Sequence, residues 1–102
     1  MNHVIYHITT MAEWATARQQ GFYKAPSLAT EGFIHCSEEH QVEGVLQRYF
    51  IGKGPLVKLT IDSDKLHPRL QRDFSVSMNE HFPHIYGRIN LDAVIEEEAL
   101  GQ

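Results

Sequence analysis

Residues 31–41 read Glu-Gly-Phe-Ile-His-Cys-Ser-Glu-Glu-His-Gln, or EGFIHCSEEHQ. Phe33 to Cys36 fits a short apolar strand. The acids after it suit the first turn of a helix, where the macrodipole favours negative charge, with Ser37 as the expected N-cap. A strand running straight into a helix start fixes the frame of the chain on either side. Its middle, His35-Cys36-Ser37, places three reactive side-chain types where packing residues are usual. Strand alternation sends Ile34 and Cys36 to one face and His35 and Ser37 to the other.

Working outward, His3 to Thr9 (HVIYHIT) alternates, with Val4, Tyr6 and Ile8 on one face and Ile5, His7 and Thr9 on the other. Apolar residues on both faces predict a central strand. Thr10-Met-Ala-Glu13 matches a capping box, and the helix it opens is expected to run to about Gln20 and stop at Gly21. Met11, Trp14, Ala15 and the stem of Arg18 are its expected inner side. Phe22 to Gly32, with Pro26 and Gly32, reads as an irregular connector. Val42, Val45, Leu46, Tyr49 and Phe50 recur at helical spacing, an amphipathic stripe expected to face the sheet, and Gly52-Lys-Gly-Pro55 ends that helix. Leu56 to Asp62 (LVKLTID) is a further strand and Ser63 to Leu70 a turn. Arg72 to Glu80 fits no single period. Phe82 to Gly87 holds too many breakers for a helix and belongs in or beside a strand, and Val94-Ile95 marks a last short one. The order predicts an α+β fold, two helices on a small split or curved, mostly antiparallel sheet.

The chain has 102 residues, the size of one domain spanning 1–102, with 42% hydrophobic and 22% charged residues. It shows no apolar run of membrane-spanning length and no leader pattern, and its one cysteine cannot build an internal disulfide. A cytoplasmic protein without a membrane is expected. Nine Lys and Arg stand against thirteen Asp and Glu, a net charge of −4, and the basic residues are scattered. Such a surface argues against an extended nucleic acid partner, which needs a basic stripe. Seven histidines are the compositional oddity, and histidine titrates nearest neutrality.

Three chemistries compete for these residues. A helix start favours a Cys36 thiolate, but Cys36 shares its face with Ile34 and is expected to be buried packing. Metal binding lacks the HExxH and paired CxxC spacings, so no metal is expected; a His-ligated metal-dependent hydrolase built from His7, His35 and His84 is the least favoured reading. The third reading is a ligand cleft. His7 with Thr9, and His35 with Ser37, each share a strand face, and His84 and Tyr86 share a side of an extended segment. If the strands meet, these groups line one pocket. Glu38 and Glu39 disfavour a phosphate at the helix start, so a ribose or neutral polar group suits it better.

IYHIT, the Trp14 helix, GFYKAPSLATEGFIHCSEEHQ, LVKLTID and FPHIYGRINLDAV strongly resemble the family called domain of unknown function 952, over roughly His3 to Glu97. That label implies no activity. The YHIT strand, the helix ending in glycine, the IHCS strand and the LxxID strand more distantly resemble RNA 2′-phosphotransferases, members of the ADP-ribosyltransferase-like fold. That likeness implies a cleft between two small sheets and NAD, or another ADP-ribose derivative, as substrate of an ADP-ribosyl or phosphoryl transfer. His7 and Thr9 match the residues that hold the ribose and amide, and His35 and Ser37 match the HVHxS segment shaping the cleft. The sequence departs from the pattern in two places. It lacks the phosphate-binding arginines, and FPHIYG offers His84 and Tyr86 where other members carry a late-strand glutamate; Glu80 stands before it. His84, expected neutral, would then move the proton, and His35 is the second catalytic candidate. The rival reading is a non-catalytic nucleotide- or protein-binding module of the same fold.

Overall fold

The computed structural model describes residues 3–100. The chain runs through β1 (Val4–Thr10), α1 (Met11–Gln20), β2 (Phe22–Tyr23), α2 (Pro26–Glu31) and β3 (Ile34–His35). It continues through α3 (Val42–Tyr49), β4 (Leu56–Asp62), β5 (Leu70–Ser75), β6 (Glu80–Ile85), β7 (Ile89–Asn90) and β8 (Val94–Leu100). The strands form three small antiparallel sheets with the orders β1-β4-β8, β2-β7 and β3-β6-β5. The split, antiparallel α+β expectation matches this arrangement. One backbone bridge links the two larger sheets. Tyr6 and Ser37 exchange both hydrogen bonds, at 2.8 and 2.7 Å.

That bridge displaces the helix expected to start at Ser37. The Ser37 backbone is committed to Tyr6, so the chain stays extended for one more residue. A 3-10 turn (Glu39–Gln41) then opens α3, with Glu38 and Gln41 forming the capping box. Tertiary pairing has overridden a local cap preference.

Three α-helices stand among the described residues, not two. The connector at 22–32 holds α2, because its two apparent breakers are cap signals. Pro26 sits at the start, where its missing N–H would be unpaired anyway, and Gly32 takes the left-handed C-cap at φ 89°. The neighbouring β2 is too short for any period to show. The segment without a clear period, 72–80, is the β5–β6 hairpin, turned at Asn79 with φ 56°. The last strand is longer than expected, running to Leu100.

The inner face of α1 differs too. Trp14 and Ala17 are buried, while Met11, Ala15 and Arg18 are exposed. Trp14 turns its Nε1–H to Glu97 on β8 at 3.0 Å, and Arg18 lies outside, pairing with the same carboxylate at 3.2 Å. Beneath them the core combines Ile5 of β1, Val57, Leu59 and Ile61 of β4, Ile34 and Ile85 of the third sheet, Tyr23, Cys36, Ile89 and Ala93. Cys36 is buried as packing, as its alternation with Ile34 predicts. The amphipathic stripe of α3 does not join this core, for no α3 residue is buried and Tyr49 is 50% exposed. Among the described residues no helix is long and apolar enough to cross a membrane.

Candidate functional site

Where α3 stands off the sheets, a cavity of about 650 Å³ opens between it and β1, β2, β3 and β6. β1 enters with Ile5 in the core, and its next two residues on that face, His7 and Thr9, reach the cavity wall. His35 and His84 are direct cross-strand partners in the β3–β6 register, so one pairing delivers both imidazoles. Their ring centroids lie 5.1 Å apart. The Tyr6–Ser37 bridge then draws this pair toward β1. His7, Thr9, His35, Ser37 and His84 all line the one cavity; Tyr86 does not.

On the β1 side a buried chain of polar contacts runs inward. Nδ1–H of His7 donates to the His35 carbonyl at 2.5 Å, and Nε2 lies 2.8 Å from the Tyr23 hydroxyl. That hydroxyl is 3.0 Å from Oγ1 of Thr9, which donates to the Glu13 carboxylate at 2.6 Å. Thr10 does cap α1, accepting from the Glu13 amide, but the Glu13 side chain faces Thr9 rather than closing the capping box. Burial lowers the His7 pKa to about 4 against the raising effect of the His35 carbonyl, so His7 is neutral at neutral pH. Burial likewise pushes the Tyr23 hydroxyl and the Cys36 thiol up, which keeps both protonated and makes Cys36 a poor nucleophile.

On the β6 side, His84 is 8% exposed and stacks on Phe33, centroids 4.0 Å apart. Its Nδ1 lies 2.7 Å from Oδ2 of Asp73 on β5. A carboxylate only accepts, so Nδ1 carries a hydrogen, and Nε2 has no hydrogen bond to the described residues. Tyr86 donates its hydroxyl to the same oxygen. That bond, the Gln71 amide and His84 hold the Asp73 pKa down to about 2, and the Tyr86 hydroxyl is pushed up in return. Tyr86 therefore supports Asp73 from behind. Across from His84, Nε2 of His35 meets both Glu31 oxygens at 3.1 and 3.2 Å. The two imidazoles are thus held in opposite senses, by a carboxylate on Nδ1 in one and on Nε2 in the other.

No group of three or more His, Cys, Asp or Glu among the described residues is placed to hold a metal ion. Glu13 and Glu31 line the cavity, and no Lys or Arg does.

The model of the family described as "Protein of unknown function (DUF952)" matches residues 8–97. The chain belongs to that family. The crystal structure of protein CC0527 from Caulobacter crescentus, 30% identical to this DUF952 chain, superposes with a TM-score of 0.87, covering 96% of this chain and 86% of that one. A solution NMR structure of the same protein gives 0.80 at 30% identity, covering 95% and 84%. No curated protein matches.

Four residues of this DUF952 site escape a reading of the sequence: Glu13, Tyr23 and Glu31 in the cavity lining, and Asp73 behind His84. Glu31 left a trace, since it stands four residues before His35. Asp73 left none, because it reaches His84 diagonally across a hairpin whose register pairs Gln71 with His84.

Proposed function

We propose that the cavity binds the nicotinamide–ribose end of NAD, or a related ADP-ribose derivative, and that His84 is the proton acceptor in transfer of the ADP-ribosyl group. The observation that carries this reading is the Asp73–His84 pair. It fixes an N–H at Nδ1, so that the neutral imidazole has its lone pair at Nε2, on a residue lining a cavity whose volume lies within the small-ligand range of about 300–1,000 Å³. The resemblance of His7-x-Thr9 and IHCS to the NAD-binding cleft of the ADP-ribosyltransferase-like fold supports the choice of ligand. In the step, the bond from the ribose C1′ to the nicotinamide nitrogen breaks and nicotinamide leaves neutral. An acceptor hydroxyl oxygen bonds to C1′, and its proton passes to Nε2 of His84. Asp73, ionised down to about pH 2, stabilises the imidazolium that forms. With no Lys or Arg in the lining, an RNA phosphate has no cation to meet there, so phosphoryl transfer is the weaker reading.

The test is incubation with NAD, with nicotinamide release followed by chromatography and binding by calorimetry. Release that falls at least a hundredfold in His84→Ala is expected. Binding without release would reassign the cavity to a non-catalytic nucleotide-binding module. Neither binding nor release would remove NAD from consideration.

A further inference from the structure

One wall of the cavity is weakly held. α3 covers it with Val45 and Tyr49, and Phe50 follows, yet no residue of α3 is buried. Protein interiors are close-packed, but beneath this helix lies a space of about 650 Å³. Among the described residues no side-chain hydrogen bond or ion pair joins 42–49 to another element. The Gln47 amide bonds to Glu43, and Arg48 lies over the Tyr49 ring, both within the helix. A helix of eight residues is not stable by itself in water, and Gly44 in its interior weakens it further. Its order therefore rests on one half-buried stripe. The two ends differ. At the start Gln41 is buried, its amide donating to Glu80 at 2.8 Å and to the His81 carbonyl at 2.9 Å, and Arg72 donates to Glu38 at 2.6 Å. These bonds fasten the 3-10 turn to the β5–β6 hairpin. At the far end the last helical bond, from the Phe50 N–H to the Leu46 carbonyl, is 3.2 Å long, and the exposed Ile51 follows. Gly52 and Gly54 then take φ 75° and 86° before β4 begins. Glycine enters and leaves such conformations at little cost, so this link constrains α3 weakly.

We infer that α3 is a lid, which admits a ligand by unwinding from its Gly52–Gly54 end while the Gln41 anchor holds its start, and refolds over the occupant. Unwinding exposes little that was buried against the sheets, so it costs less than opening the Leu59 row of β4. Refolding over a ligand gives Val45, Tyr49 and Phe50 contacts that the empty cavity lacks, so occupancy favours the closed form. This goes beyond the NAD proposal, since the lid serves any small ligand of the cavity.

Cys36 supplies the reporter. It is the chain's one cysteine, is 3% exposed and lines the cavity. In the ligand-free protein, its reaction with the neutral thiol reagent 4,4′-dithiodipyridine is followed as urea rises, beside amide exchange of residues 46–50 and of β4. Lid opening should expose Cys36 about a hundredfold more often than global unfolding does, with a shallower urea dependence. The α3 amides should exchange through that same opening. Gly44→Ala tests the element itself. A Cβ added there meets nothing within 4 Å and raises helix propensity, so labelling should slow about fivefold. Four results would each overturn the inference: a Cys36 that reacts only on global unfolding, one that reacts as fast as a free thiol, α3 amides as protected as those of β4, or labelling indifferent to Gly44→Ala. None of them depends on whether NAD binds.

Discussion

At Tyr23 one hydroxyl, with one hydrogen, serves two buried neighbours, Nε2 of His7 and Oγ1 of Thr9. Tyr23→Phe keeps the ring, which packs against Trp14 and His7, but leaves Nε2 of His7 without its partner, while Thr9 keeps its bond to Glu13. We expect a loss of about 1–3 kcal/mol in urea unfolding; an unchanged midpoint would mean that the chain of contacts does not stabilise the fold. His7 itself predicts a pH dependence. Its folded pKa of about 4 lies below the unfolded value near 6.5, so the unfolded chain binds more protons between them. Stability is therefore complete above about pH 6.5 and falls as the pH drops toward 4, by about 3 kcal/mol from this residue. Urea unfolding from pH 7 to 4 measures it, and a His7→Gln variant should have a flatter profile. His7, Thr9, His35 and Ser37 were legible as cavity candidates because alternation alone assigns strand faces. Asp73 was not, because its partner is chosen by hairpin register rather than by neighbours in the chain.

Among the elements, α3 shows how far a periodic pattern can be trusted. Val42, Val45, Leu46 and Phe50 form a genuine apolar stripe, and the helix is where that stripe predicts it. Yet the stripe is only half-buried and its lower turns wall the cavity. Periodicity says that one face is apolar, not how closely that face approaches another. Leu46→Ala should accordingly cost about 1 kcal/mol, against about 2–5 kcal/mol for Leu59→Ala in the fully buried row of β4. Matching losses in chemical denaturation would place α3 in the core after all. The α2 helix carries the opposite lesson. At six residues it is too short for a period, and Pro26 and Gly32 mark its ends by the same chemistry that elsewhere marks a loop.

For the molecule as a whole, the Tyr6–Ser37 bridge ties the β1 sheet to the β3 sheet and brings the two walls of the cavity together. Ser37→Pro removes the N–H that the Tyr6 carbonyl accepts. It should cost about 1–3 kcal/mol from that orphaned carbonyl, whereas Ser37→Ala keeps the backbone pair and should change stability by under about 1 kcal/mol. Thermal unfolding of the two variants compares them, and equal stability would show that the bridge does not couple the sheets. What the sequence by itself determined here is local: the faces of β1, the presence of the β4 strand, the glycine stop of α1, the burial of Cys36 beside Ile34, and family membership through its motifs. Those follow from side-chain period and cap chemistry, which act over a few residues. The tertiary structure alone decided the Ser37 bridge, the stand-off of α3, and the carboxylates set on His35 and His84. Each depends on where segments distant in the chain come to rest, and a hydrogen bond between them is worth forming only once packing has brought both partners out of water.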